Sequence, residues 1–494
     1  MKFYSYNNGK RKVLKVWKAL ISIGVIIFII AVVLGSLSIY NFVKRDYNDE
    51  GRIKYLNSLE GTKTAEKKNV VVILLDDMGY GDLSLTGSLA FETPNIDRLA
   101  SNGILFENYY APNPICSASR AGLLTGRMPV RTLTAGAYMN TETLEGRMAS
   151  LLQVFLGTYP YANEGLPTDE ILLPEILQKV GYETALIGKW HLGVREQEFP
   201  TNRGFNKFYG ALYSDDMNPY RVYDNNEVVY DSLKDKSNLT KELTSEALEF
   251  IDDNKENPFF LYYASPFPHW PPSCSEEWVG SSKGGTYGDT MQEVDWSIGE
   301  IINKLESENL LEDTLIIFTS DNGPWYEGAT DDGDRGRKGT KYNGGSHVPL
   351  IVSMKGTIEE GKVDDHLISG LDIFPTILDM LDIDLPDDRI IDGISMWDAW
   401  RGLSEPTRNY VYINDKKDEF AYIEGNFKYM QRSASEIGPY WNLSTGPFLY
   451  DLSVDKKEAY DVSMLYPEIA ERMKNKVDEI KKELSDNIRG WIKK

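Results

Sequence analysis

Two pairs of oxygen-bearing side chains stand where a metal could use them. Asp76 and Asp77 follow the apolar run 69–75, and Asp321 and Asn322 follow the run 314–319. About 240 residues of sequence separate the pairs. If the two runs are neighbouring strands, three carboxylates and one amide converge. Such a group repels itself unless a cation sits within it. Hard oxygen ligands favour Ca²⁺, with Mg²⁺ as the alternative, over zinc. Either pair taken alone also reads as ordinary turn residues closing a strand. A second set is cationic. The chain has four histidines, and two of them, His191 and His269, fall at expected strand ends, in 188–193 and 265–270. Arg120, Lys189 and Lys338 could offset charge on an anionic substrate. Each of these alone also reads as a structural or solvated side chain.

The elements that would position these residues are legible in the apolar pattern. Asn69-Val-Val-Val-Ile-Leu-Leu75 is continuous and β-branched, the mark of a strand buried on both faces. Similar runs lie at 183–187, 258–264 and 314–319, with helical patterns at 172–180, 242–252 and 290–306 between them. Strands alternating with helices predict an α/β fold with a large mixed, mostly parallel sheet flanked by helices. In such sheets the site lies at the carboxyl ends of the strands. From about residue 405 the pattern changes to short runs at 410–413, 420–423, 427–430 and 448–450, then a helical stretch at 467–484. These predict a small C-terminal α+β subdomain over 405–494 with an antiparallel sheet, after a catalytic domain over 69–404.

Composition sets the class. At 494 residues, 41% hydrophobic and 26% charged, the chain is globular, and its two cysteines, Cys116 and Cys274, exclude a disulfide scaffold or a Cys-based zinc module. Its net charge of −22 excludes nucleic acid as a partner. That charge is uneven: residues 1–45 carry eight basic and no acidic residues, and the rest carries 45 basic and 75 acidic. Residues 19–43 hold no charge. The basic flank over 1–18 followed by this run predicts a single-pass signal anchor at 19–43, with the membrane as a partner and a cleaved signal peptide as the rival reading. The N-terminus would be cytoplasmic, and a tether over 44–68 would lead to an extracytoplasmic catalytic domain.

The segment Asn113-Pro-Ile-Cys116-Ser-Ala118-Ser119-Arg120-Ala-Gly-Leu123-Leu-Thr125-Gly126 resembles the signature of the type I, formylglycine-dependent sulfatases, Cys-x-Pro-Ser-Arg-x-x-Leu-x-Thr-Gly. It departs at Ala118, where proline is usual. Blocks at 76–82, 93–100, 188–193, 203–205 and 319–323 look like family blocks in family order, arylsulfatase A-like in character. The resemblance implies an alkaline-phosphatase-like sandwich and hydrolysis of a sulfate monoester. It implies conversion of Cys116 to Cα-formylglycine by a formylglycine-generating enzyme, and one cation, usually Ca²⁺, held by Asp76, Asp77, Asp321, Asn322 and the modified Cys116. By the same resemblance Arg120 orients the formylglycine hydrate, and Lys189 and His191 contact it, with His191 as the base. His269 and Lys338 bind sulfate and assist the leaving oxygen, and Ser214 resembles a substrate-side serine. The segment 337–345 resembles Gly-Lys-Gly-x-x-Tyr-Glu-Gly-Gly, with Arg337 for the first glycine, Asn343 for the glutamate and His347 where arginine is common. Two alternatives remain: a phosphonate or phosphate ester hydrolase of the same superfamily, and an inactive binding protein that keeps the fold. With 30 excess negative charges beyond residue 45, long-range attraction for a polyanion is absent. A sulfated small molecule or sparsely sulfated sugar is therefore the expected substrate.

Overall fold

The computed structural model describes residues 6–7, 10–11, 19–29, 47–62, 68–134, 136–155, 165–326, 333–416, 419–432 and 446–492. The chain divides into two units, one of residues 1–47 with 151–162 and one of residues 48–150 with 163–494. In the first, Tyr6–Asn7 pairs antiparallel with Lys10–Arg11, and residues 19–29 are helical. The expected membrane anchor at 19–43 is not met. Among the described residues no helix is long and apolar enough to cross a membrane. The remainder of that run, 30–43, and most of the basic flank lie outside the described residues. The membrane-anchored topology inferred from it is withdrawn with it.

The second unit is built on a ten-stranded sheet. Its strands are β1 (Asn69–Leu75), β2 (Ile104–Tyr110), β3 (Glu183–Lys189), β4 (Lys207–Ala211), β5 (Val222–Asp224), β6 (Glu227–Tyr230), β7 (Phe259–Ala264), β8 (Thr314–Ser320), β9 (Leu350–Ser353) and β10 (Lys362–Ser369). Their order is β10-β2-β9-β8-β1-β7-β3-β4-β5-β6. The central five, β8 through β4, run parallel. β9 and β5 run antiparallel to their neighbours, so the sheet is mixed. β1 is buried along its whole length, with Val70 to Leu75 at 0% exposure. Each such side chain gains about 1.5–3 kcal/mol on leaving water, which is why an uninterrupted apolar run settles at the sheet's centre.

Helices cover the sheet: α1 (Asp49–Ser58), α2 (Pro94–Ser101), α3 (Cys116–Thr125), α4 (Leu173–Lys179), α5 (Leu239–Asn254), α6 (Gly285–Ser307) and α7 (Ile373–Met380). α1 lies within the stretch expected as a tether. Arg52 pairs with Glu175 of α4 at 2.7 Å, and the Tyr55 hydroxyl donates to the carbonyl of Asp384 at 2.6 Å. A four-stranded antiparallel sheet follows, β11 (Tyr410–Lys416), β12 (Glu419–Glu424), β13 (Phe427–Met430) and β14 (Phe448–Asp451), in that order. α8 (Pro467–Asp486) packs on it through Met473, Val477 and Leu484. Met128 and Leu371 join the same apolar cluster, so the two sheets share packing.

Candidate active site

The parallel register places the two acidic pairs side by side. β8 and β1 are neighbours with Ser320 opposite Leu75, so the residues that follow emerge together at the carboxyl edge. Asp76, Asp77, Asp321 and Asn322 are all buried to 1% exposure or less. Asn322 Nδ2 donates to Asp77 Oδ1 at 2.8 Å, and the Asp77 amide lies 3.4 Å from Asp321 Oδ1. Asp77 holds a positive φ of 66°, and His191 one of 59°. Side chains other than glycine pay for that region in strain, and such positions gather at functional sites.

The protein's own cations lie against these oxygens. Arg120, four residues into α3 and fully buried, donates from Nε to Asp321 Oδ2 at 2.9 Å and from Nη1 to the Lys189 carbonyl at 2.7 Å. Lys189, the last residue of β3, reaches Asp76 Oδ2 at 2.5 Å and Ser214 Oγ at 3.1 Å. Lys338 reaches Asp77 Oδ1 at 2.5 Å. His269, beyond β7, places Nε2 3.3 Å from Ser214 Oγ and 3.6 Å from Asp77 Oδ2. Cys116 opens α3 as its first residue, is 2% exposed, and feels the charges of Lys189, Lys338, Asp76 and Asp321. The residues expected from sequence are thus brought to one buried cluster.

Burial pushes Asp321 up to about 6, with Asp76 alongside adding to the shift. Burial acts the same way on Asp76, but Lys189, His269, Arg120 and Lys338 outweigh it and hold Asp76 below the ordinary carboxylate range. The His191 ring is driven the other way. Burial lowers its pKa well below 6.5, and Lys189 and Arg120 add to that, so the ring is neutral. Its Nε2 sits 3.0 Å from the Tyr138 carbonyl, which only an N–H can serve, and its buried Nδ1 has no hydrogen-bond partner. The free lone pair is therefore on Nδ1, the arrangement a general base requires. Burial also pushes the Cys116 thiol up, Lys189 and Lys338 only partly opposing it. A protonated thiol is a poor nucleophile.

The cluster has room in its chemistry for one more positive group. Asp76 Oδ1, Asp77 Oδ2 and Asn322 Oδ1 are buried without a hydrogen-bond partner. Arg120 Nη2, 3.9 Å from the first, and His269 Nε2, 3.6 Å from the second, lie beyond hydrogen-bond reach. Three orphaned oxygens and no sulfur beyond Cys116 suit a hard divalent cation.

Lys338 is held by a loop laced to both halves of the site. Its amide donates to the Pro324 carbonyl at 3.0 Å, and the next amide, Gly339, to the Pro114 carbonyl at 2.9 Å, two residues before Cys116. Asn343 takes the Lys428 ammonium on its side-chain oxygen at 2.9 Å and gives its amide to Glu458 at 2.6 Å. Lys428 and Glu458, both at 0% exposure, pair at 2.8 Å. His347 stacks on Tyr80 at 4.4 Å and turns Nδ1 to Asp334 and Nε2 to the Glu107 carbonyl, each at 2.7 Å. The departures at Asn343 and His347 are therefore built into local partners. Ala118 is the third residue of α3, whose first intrahelical bond runs from the Ser119 amide to the Ile115 carbonyl. The Ala118 amide has no intrahelical role, so alanine serves the backbone as proline would. Sequence reasoning missed Asp215, whose Oδ1 lies 2.7 Å from His269 Nδ1, and the Tyr138 carbonyl. A second acid beside Ser214 carries no periodic signal, and a carbonyl carries none at all.

The sulfatase family model matches residues 68–383. The chain belongs to the sulfatase family. Its resemblance to N-acetylgalactosamine-6-sulfatase of Mus musculus is 38% identity over 350 residues, 66% of this chain and 65% of that protein. The chain thus spans just under two thirds of the length of that relative. Arylsulfatase A of Homo sapiens is 32% identical over 468 residues, 84% of this chain and 88% of that one. Among solved structures, a Bacteroides thetaiotaomicron protein described in connection with the metabolism of multiple glycosaminoglycans superposes with a TM-score of 0.75 at 26% identity. It covers 85% of this chain and 100% of its own. As a sulfatase-family member the chain has the fold expected from its sequence, a large mixed sheet flanked by helices beside a small antiparallel sheet.

Proposed function

We propose that this protein hydrolyses a sulfate monoester to an alcohol and inorganic sulfate. The observation that carries the reading is the buried cluster in which Arg120, Lys189 and Lys338 lie against three carboxylates beside Cys116. Asp76, Asp77, Asp321 and Asn322 would hold a divalent cation, Ca²⁺ or Mg²⁺. That ion would supply a Lewis-acid charge beside the sulfuryl oxygens. Cys116, converted to formylglycine by a generating enzyme, would supply as the hydrate two hydroxyls on one carbon, one to attack sulfur and one to release sulfate. Support for that conversion comes from the raised thiol pKa, which leaves an unmodified Cys116 a poor nucleophile.

The chain's own residues then divide the work. Arg120 orients the side chain at position 116 and neutralises Asp321. Lys189 and Lys338 offset charge on the sulfuryl group, which develops more negative charge toward the leaving oxygen in the transition state. His191, neutral with its lone pair on Nδ1, takes the proton whose removal expels sulfate. His269 and Ser214 face the side from which the alcohol departs. The named relatives act on sulfated sugars or aryl sulfates, and the acidic surface beyond residue 45 disfavours polyanions, so a small or sparsely sulfated sugar is the proposed substrate class. The test is turnover of an aryl sulfate against the matching aryl phosphate and phosphonate, alongside the mass of the Cys116 peptide. A clear preference for the sulfate and a formylglycine mass are expected. A strong preference for the phosphorus esters, or a wholly unmodified cysteine from the native host, overturns the reading.

A further inference from the structure

We propose that Asp215 is the positioning residue for His269, fixing its ring so that Nε2 is aimed at the oxygen that leaves with the alcohol. The inference rests on the placement of His269 at the leaving group given above. Asp215 is 1% exposed, and its Oδ1 lies 2.7 Å from His269 Nδ1. On its other side the Lys236 ammonium lies 3.4 Å from Oδ2 and also donates to the Asp215 carbonyl. Lys236 itself sits over the Tyr220 ring at 4.7 Å. The carboxylate therefore lies between an ammonium and an imidazole. The 2.7 Å ion pair turns Nδ1 toward Asp215, and Nε2 is the atom left to face Ser214 Oγ at 3.3 Å.

A competing use of the same atoms is a second cation site, because ligand atoms of Asp215, Asp216 and His269 lie within 4.8 Å of one another. The Lys236 ammonium already occupies the Asp215 carboxylate, and Asp216 is exposed. A cation there would face an ammonium, so the geometry favours the histidine as the carboxylate's partner. A carboxylate on the far nitrogen holds a catalytic imidazole in one tautomer and orientation and stabilises it when charged. In the step served, a hydroxyl oxygen at position 116 bonds to sulfur as the S–O bond to the alcohol breaks, the electron pair of the broken bond stays on the alcohol oxygen, and the Nε2 proton moves to that oxygen. The ring is left neutral, its remaining proton still on Nδ1 and facing Asp215, and regains the Nε2 proton from water.

The test uses the modified, cation-loaded full chain and two substrates, 4-nitrophenyl sulfate, whose phenolate leaves unaided, and phenyl sulfate, whose phenolate is more basic. Asp215→Asn keeps an acceptor for Nδ1 but removes the charge. It should lower kcat about 10- to 100-fold for phenyl sulfate and only a few-fold for 4-nitrophenyl sulfate, with KM little changed. His269→Ala should show the same dependence more strongly. Asp215→Glu, which keeps the charge that Lys236 faces, should show it more weakly, and serves in its place if the asparagine variant does not fold. If His269→Ala discriminates between the two esters and the Asp215 variants do not, the role given to Asp215 is wrong. If His269→Ala itself loses both activities equally, the underlying placement of His269 fails instead.

Discussion

The three orphaned oxygens make a cation's contribution to stability measurable without any substrate. A buried polar atom left unpaired costs about 1–3 kcal/mol, so Asp76 Oδ1, Asp77 Oδ2 and Asn322 Oδ1 together leave roughly 3–9 kcal/mol for a cation to relieve. At a free concentration a hundred times its Kd, an ion that binds only the folded state stabilises it by about 2.7 kcal/mol. Unfolding entropy near 2.1 cal/mol/K per residue gives about 0.85 kcal/mol/K for a unit of roughly 400 residues, so the midpoint should rise by about 3 °C. The assay is thermal unfolding of the protein in chelator, in Ca²⁺ and in Mg²⁺, repeated with Asp77→Asn. The variant removes one orphaned oxygen's charge and should lose most of the response. If neither ion moves the wild-type midpoint, or if Asp77→Asn responds as fully as the wild type, the cluster is not a cation site and its orphaned oxygens need another account.

Four further outcomes are expected. Cys116→Ser should abolish steady-state turnover and release at most one equivalent of alcohol per molecule, read as a burst, because serine offers a single hydroxyl. Continued turnover would contradict the two-hydroxyl scheme. Ala118→Pro should fold with an unchanged melting midpoint, because the amide it removes makes no intrahelical bond; a drop of several degrees would show that amide to matter. Burial opposes charge on His347, but Asp334 and the Glu107 carbonyl outweigh it and raise its pKa. Unfolded, the ring titrates near 6.5, so its stabilisation is complete below about pH 6.5 and is lost as pH rises through the higher folded value. The midpoint of the wild type should therefore fall between pH 6 and 9 more steeply than that of His347→Gln, and parallel profiles would contradict the pairing. Finally, a monosulfated sugar should turn over faster than a heparin-like chain at low salt; the reverse order would show that local positive charge overrides the acidic surface.

Much of this site was legible in the residues because parallel sheets advertise themselves. β1, β3, β7 and β8 read as continuous apolar runs since both faces are covered, and their carboxyl ends carry Asp76, Lys189, His191, His269 and Asp321 at the edge where such sheets put their chemistry. The strands that escaped notice include β2, β4 and the wholly buried but four-residue β9, as well as others with mixed surroundings. β10 alternates buried and exposed positions and is interrupted by a register shift between Asp364 and Leu367. β5 and β6 are short and end the sheet at a solvent-facing edge. Asp215 was invisible for another reason: its meaning lies in a contact with His269, 54 positions away in sequence.

The burial of Cys116 has a consequence in time. Arg120, in the same helix, finds its partner Asp321 only after a further 201 residues. At about 5–20 residues per second, synthesis of that stretch takes roughly 10–40 s. Until β8 has arrived, Cys116 lies beside an unfinished sheet edge; afterwards it is 2% exposed. Under the proposed conversion of Cys116, an enzyme acting on this thiol would therefore compete with the chain's own elongation, and slowing translation before residue 321 would raise the modified fraction.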